Sequence, residues 1–244
     1  MELCEMIYRR KSTRSYTGET VDEETIQKIR DFSAGVKPLY PEIRVSAEII
    51  GSENVKCILP WTTPQVIAIF SEEAKGAMEN VGFCYQQMEL YLQTLGLGAC
   101  WLGMGRLDTK GNEDLKQRGG MKFAMMIAFG YPKENSLRQS KAEFRRKSLK
   151  EIADREDERL EPARLAPSSV NSQPWYFVHE GAMIHAYCML SGLIRKKKPS
   201  DMNLIDMGIA LAQLYLCHPD TFCFSQAMQI PEVKNYSYIG SFTL

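Results

Sequence analysis

Interleaved helical and strand-like segments along 244 residues predict an α+β fold: a mixed, mostly antiparallel sheet flanked by helices. Two observations carry that expectation. From Glu72 to Leu95, apolar residues fall at 74, 77, 78, 81, 85, 88, 92 and 95, the spacing of a core-facing helix. Around it, short apolar runs such as "QVIAIFS" and "FAMMIAFGYP" read as strands, the latter closed by Gly130-Tyr131-Pro132.

The remaining elements follow in order. Leu3, Met6 and Ile7 have helical spacing, in a short helix ending near Arg9 or Arg10. "TVDEETIQKIRDFSAG" predicts a second helix, with Thr20 and Glu23 as a capping box and Gly35 as its stop. "VSAEIIG" reads as a strand, and "GLGACWLG" turns off the long helix into another. The polar, basic stretch from Lys133 to Lys150 reads as irregular. "SLKEIADREDERLEPARL" starts a helical region broken before Pro162. Strands follow at Trp175–His179 and Met183–Cys188. A helix over Asp201–Leu216 carries Ile205, Ile209, Ala212 and Leu216 on one face, and "TFCFS" and "YSYIGSF" read as final strands.

Composition excludes several classes of function. With 44% hydrophobic and 25% charged residues this is an ordinary globular chain, long enough for one large domain or two intimately packed halves. Thirty basic residues balance thirty acidic ones, so no net field draws the chain to nucleic acid or to an anionic membrane. No apolar run approaches the ~18 to 20 residues of a membrane-spanning helix, and "MELCEMIYRR" has no signal-peptide core. The seven cysteines form no CxxC pair and read as reduced thiols, which points to the cytoplasm. The three histidines lack metal-ligand spacing, so no metal site is expected.

Four segments can carry chemistry. "RRKSTRSY", Arg9 to Tyr16, is a solvated basic turn or an anion site in which Arg10 and Ser12 bond phosphate oxygens and Arg14 reaches another part of the ligand. "KAEFRRKSLK", Lys141 to Lys150, offers a second basic cluster. The glycines of "GLGACWLGMG", Gly96 to Gly105, follow a helix and precede a strand, the reverse of the dinucleotide fingerprint. They serve a tight turn or a close backbone approach to a ligand, with Trp101 and Leu102 as apolar contacts. In "RLAPSSVNSQPWYF", Pro167, Ser168, Ser169 and Asn171 can face a polar ring edge, whereas Gln173, Pro174 and Trp175 fix the loop.

Together these segments resemble the FMN-dependent nitroreductase superfamily. Arg10-Lys11-Ser12-Thr13-Arg14 is similar to the family's Arg-x-Ser-x-Arg segment, and Ala166 to Trp175 matches its Ala-Pro-Ser-x-x-Asn-x-Gln-Pro-Trp loop. "GLGACWLG" and "IAFGYP" look like its central turn and following strand, and Arg146 stands where its late phosphate-binding arginine is expected. One departure matters. The Ala-Pro-Ser loop usually follows the Arg-Ser segment by about one helix, but here that place holds "GVKPLYPE" and the loop comes far later. The order resembles the branch in which both contributions to a flavin site come from one chain.

The resemblance implies a pseudo-dimeric chain, residues 1–150 forming the half with the phosphate and flavin N5 side and residues 151–244 the half with the Ala-Pro-Ser loop. It implies FMN as cofactor, with NADH or NADPH as co-substrate and a nitroaromatic, quinone or similar small molecule as acceptor. Arg10, Ser12 and Arg146 are then expected at the phosphate and Arg14 at the N1–C2=O edge, with Lys11 also expected to bind the cofactor. Trp101, Leu102, Gly103 and Met104 are expected along the N5 side, and Pro167, Ser168, Ser169 and Asn171 along the pyrimidine and ribityl side. No catalytic side chain is required, because the flavin carries the hydride. The rival reading is an FMN protein without NAD(P)H turnover. The assembly is a monomer or a homodimer. Residues 110–120 and 195–201 are candidate mobile loops, and Lys196 to Lys198 a candidate contact for a 2′-phosphate.

Overall fold

The computed structural model describes residues 2–57, 61–108, 118–134, 137–191 and 198–244. Residues 110–117 of the first candidate mobile loop and 195–197 of the second, with Lys196 and Lys197, lie outside them. The first helices are α1 (Leu3–Ile7) and α2 (Glu23–Gly35). Strands β1 (Val45–Gly51), β2 (Val55–Lys56) and β3 (Gln65–Ser71) lead to α3 (Ala77–Thr94), then β4 (Gly98–Trp101), β5 (Arg106–Leu107) and β6 (Lys122–Gly130). Two short helices, α4 (Leu149–Ile152) and α5 (Glu161–Leu165), precede β7 (Trp175–Glu180) and β8 (Met183–Met189). The chain ends with α6 (Asp201–Cys217), β9 (Cys223–Ser225) and β10 (Tyr236–Thr243).

The strands form two four-stranded sheets with one topology. The first has the order β1-β3-β6-β4 and the second β7-β8-β10-β9, and every pairing in both is antiparallel. In each, the chain lays down two adjacent strands, crosses over through a long helix, and returns with the outer strand before the inner one. The crossover helices are α3 and α6. Both are buried on nearly all sides, which a single apolar stripe would not achieve.

These two helices cross at a pair of glycines. A Cβ built on Gly82 would lie 2.1 Å from the carbonyl oxygen of Ile205 and 3.0 Å from the Ile209 nitrogen. A Cβ on Gly208 would lie 2.0 Å from the carbonyl oxygen of Glu79 and 2.9 Å from the Phe83 nitrogen. Each glycine therefore faces the residue three before, and the one after, the other glycine. That reciprocity is the mark of a two-fold contact, here made within one chain.

The structure departs from the sequence expectations at several points. Asp22, not a Thr20–Glu23 box, caps α2 by accepting from the Thr25 backbone N–H. α3 begins at Ala77 because Gly76, with φ +91°, turns the chain there. Pro162 lies inside the first turn of α5, where no intrahelical N–H is needed. The small β2–β5 ladder was not anticipated.

The cysteines need a correction. Cys4 and Cys217 are disulfide-bonded, joining α1 to the end of α6, so the expectation of seven reduced thiols fails. Their partnership arises from tertiary approach across a separation of 213 residues, which no spacing rule reveals. Cys84, Cys100 and Cys188 are buried free thiols, packed as small hydrophobes as expected.

Gly208→Ala is expected to lower stability by at least ~1 to 3 kcal/mol, since the methyl would meet backbone and not a movable side chain. A chemical denaturation midpoint equal to that of the unaltered chain would refute the crossing described here.

Candidate functional site

An open cleft of about 260 Å³ lies between the end of β4, the Ser12–Arg14 segment, α6 and the loop that precedes β7. The local sequence explains how these parts meet. Ser12 bridges in parallel to Ala99, and the Thr13 N–H donates to the Ala99 carbonyl at 2.9 Å, so the segment runs along the free edge of β4. Gly98 permits this approach, since a Cβ there would lie 2.5 Å from the Thr13 side chain. Gly103 does the same opposite α6, where a Cβ would meet Met202 at 2.8 Å.

The loop on the opposite wall is held by its own polar groups. The Ser169 N–H donates to both Asp206 oxygens at 3.1 and 3.0 Å, and the Gln173 N–H donates to the Ser168 hydroxyl at 2.9 Å. Val170, Asn171 and Gln173 have φ of +46°, +58° and +48°. For a β-branched residue this is a strained conformation, and Val170 adopts it at the cleft rim while almost wholly exposed. Gln173 braces the loop by accepting from the Lys147 N–H at 2.7 Å, and Trp175 is fully buried, the structural roles anticipated for both.

The cleft has two characters. Leu102, Met125, Ile205 and Ile209 present apolar surface, whereas Ser12, Arg14, Ser168, Ser169 and Asp206 present polar groups. A flat ligand with apolar faces and polar edges suits such walls. Burial raises the Asp206 carboxyl from 3.8 to about 7, against the lowering effect of the Ser169 N–H and the Ser172 hydroxyl.

Nine expected residues line the cleft: Ser12, Arg14, Trp101, Leu102, Gly103, Met104, Pro167, Ser168 and Ser169. Four do not. Arg10 is buried and bound by Glu89, its Nη2 2.9 Å and its Nε 3.1 Å from Oε1, so its charge is already balanced. It touches the cleft indirectly, donating to the Ser12 hydroxyl at 3.0 Å. Lys11 is exposed, with its backbone N–H on Gln93. Asn171 turns away from the cleft, accepting from Arg146 at 2.6 Å and donating to the Arg145 carbonyl at 2.9 Å.

Arg146 stands behind the loop, donating from Nε to the Ala166 carbonyl at 2.9 Å. Its pKa is pulled down to about 10, first by burial and then by Arg10, Arg138 and Arg164. Trp61, Cys100, Met125, Val170, Met202, Ile205, Asp206 and Ile209 line the cleft without having been predicted as site residues. Asp206 carried a readable signal, a lone acid within the apolar helix "NLIDMGIALA".

The two-fold relation of α3 and α6 gives the cleft a counterpart. Asn80 stands two residues before Gly82, as Asp206 stands two before Gly208. Its Oδ1 accepts from the Leu39 and Tyr40 N–H groups at 2.8 and 3.0 Å, as Asp206 accepts from Ser169. The Pro38-Leu39-Tyr40 loop thus occupies the counterpart of Pro167-Ser168-Ser169. There, however, rings fill the space: Tyr40 packs edge-on to Phe224 at 5.6 Å and lies over Gly76, and Phe83 contacts Phe222 and Tyr215.

Among the described residues no helix is long and apolar enough to cross a membrane, and no cluster of three or more His, Cys, Asp or Glu could hold a metal. The family described as "Putative TM nitroreductase" matches residues 2–218. A putative nitroreductase from Thermotoga maritima MSB8 superposes with a TM-score of 0.63 at 18% identity, over 99% of this chain and 92% of that one. A nitroreductase family protein from Clostridium difficile 630 gives 0.49 at 17%, over 62% and 96%. A nitroreductase with bound FMN from Desulfitobacterium hafniense DCB-2 gives 0.46 at 13%, over 55% and 91%. No curated protein matches.

A raised carboxyl pKa gives a signed expectation. Folding favours the protonated Asp206, so its contribution is full below 3.8 and is lost as pH rises through about 7. Asp206→Asn keeps the acceptor for Ser169, as Asn80 does in the counterpart, and removes the titration. The variant should gain stability relative to the unaltered chain between about pH 4 and about pH 8. Glu79 is shifted upward by burial too, but is common to both proteins and cancels. A pH-independent difference between their denaturation midpoints would contradict this assignment.

Proposed function

The chain belongs to the putative TM nitroreductase family, and from that premise we propose an FMN-dependent oxidoreductase that passes a hydride from NADH or NADPH to a nitroaromatic, quinone or similar small acceptor. The observation that carries this reading is the cleft itself, with apolar faces and polar edges, and the buried Arg10 and half-buried Arg146 standing behind its Ser12 and Ala166 end. FMN has the same three features: an aromatic ring system, polar ring edges and a phosphate. Arg146 has no acidic partner within ion-pair distance among the described residues, and a phosphate supplies the missing negative charge.

The residues then divide their work. Ser12 and Arg146 would hold the phosphate, with Arg10 as the buried strut that fixes Ser12. Arg14, exposed on the cleft wall, would stabilise negative charge developing at a ring edge. Leu102, Ile205 and Ile209 exclude water from the ring faces, and Ser168 and Ser169 offer polar groups to the edge on their side. Asn171 would act through Arg146, which it orients. When bound, FMN supplies the hydride chemistry, and the chain supplies binding, orientation and electrostatics.

Residues 1–150 would contribute the Arg-Ser segment and the end of β4, and residues 151–244 the Ala-Pro-Ser loop and α6. This division follows the repeat of sheet topology and the two-fold helix crossing.

The test is the visible spectrum of the purified protein under anaerobic conditions, before and after NADH or NADPH. Flavin bands that bleach are expected. Bands that persist with both donors would leave FMN bound without turnover and overturn the oxidoreductase reading, and a colourless protein that takes up no added FMN would overturn the cofactor.

A further inference from the structure

We propose that Arg138 is the second cation of the phosphate site, completing with Arg146 the charge that Arg10 cannot supply. The inference rests on the FMN reading above. Four arginines converge behind the Ser12 and Ala166 end of the cleft, and they differ in whether their charge is answered. Arg10 is paired with Glu89 at 2.9 Å, and Arg164 with Glu161 at 2.5 Å. Arg138 and Arg146 have no carboxylate within ion-pair distance among the described residues, and both are half-buried.

Both are fixed around one ring. The Arg138 guanidinium lies 4.1 Å from the centroid of Phe144 and that of Arg146 lies 5.9 Å from it. Arg138 donates to the Arg10 carbonyl, and Arg146 to the Ala166 carbonyl at 2.9 Å. Those carbonyls belong to the two strands of chain that lead into the cleft walls at Ser12 and Pro167. Like charges held this way repel: Arg146 is depressed first by burial and then by Arg10 and Arg138, and Arg138 by burial and then by Arg10. Glu89 and Glu143 attract Arg138 only from a distance.

Folding such a cluster without counter-charge costs stability unless a ligand supplies it. A phosphate monoester carries close to two negative charges at neutral pH, the number that the unpaired Arg138 and Arg146 call for. The site is thereby selective for FMN over riboflavin, which has the same ring and ribityl chain and no phosphate.

The experiment titrates unaltered chain, Arg138→Gln and Arg138→Lys with FMN and with riboflavin, following quenching of flavin fluorescence. The unaltered chain should prefer FMN to riboflavin. Arg138→Gln should weaken FMN binding at least tenfold and leave riboflavin binding unchanged, and Arg138→Lys, which keeps the charge, should retain most of the FMN affinity. FMN affinity in Arg138→Gln within twofold of the unaltered chain overturns the inference and leaves the FMN reading standing. Equal weakening of FMN and riboflavin, or equal loss of FMN affinity in the Lys and Gln variants, also overturns it, since either outcome marks a structural role. An unaltered chain that binds neither flavin overturns the FMN reading and this inference together.

Discussion

Everything near the cleft depends on how closely α3 and α6 approach. Gly82 and Gly208 remove the two side chains that would hold these helices apart, and backbone meets backbone in their place. That contact brings the two sheets together as related halves of one unit. It also sets the depth of the cleft, because Met202, Ile205, Asp206 and Ile209 reach the cavity from the helix that Gly208 positions. A wider crossing would withdraw that wall from the end of β4.

The second constraint is the buried polar content of α3. Asn80, Gln86, Gln87, Glu89 and Gln93 are all buried, and each serves a neighbouring segment. Glu89 binds Arg10, Gln93 accepts from the Lys11 N–H, Gln86 accepts from the Trp101 indole, and Gln87 accepts from the Lys37 N–H. Removing one partner of a buried ion pair such as Arg10–Glu89 leaves an unanswered charge, at a cost of about 3 to 5 kcal/mol. The pair therefore reads as scaffold for Ser12 and not as a ligand contact. On the counterpart side Asn80 does for the Pro38 loop what Asp206 does for the Pro167 loop, but Tyr40 and Phe224 close the space. The two-fold frame is shared and the cleft is not.

Apolar periodicity made most elements legible in the sequence. The strands around "QVIAIFS" and "FAMMIAFGYP" and the helix from Asp201 form close to where that pattern puts them, because burial of a face drives both pattern and fold. Local turn chemistry was less legible. Thr20 and Asp22 both suit a helix cap, and only backbone geometry selects Asp22. The motif residues divide by what their partners do. Ser12 and Arg14 reach the cleft because their segment pairs with the edge of β4, and Pro167 and Ser168 because Asp206 and Gln173 hold their loop through its backbone and the Ser168 hydroxyl. Arg10 and Asn171 do not, because Glu89 and Arg146, far away in sequence, claim their side chains. Pairings across such distances, like Cys4 with Cys217, leave no periodic trace in the chain.

The central claim is that two related halves build one cofactor cleft and close its counterpart with rings. Native mass spectrometry of the protein saturated with FMN tests it directly, by counting bound flavins against a chain of 27.8 kDa. One FMN per chain is the predicted result. Two per chain would contradict the closure by Tyr40 and Phe224, and none would contradict the assignment of the cleft.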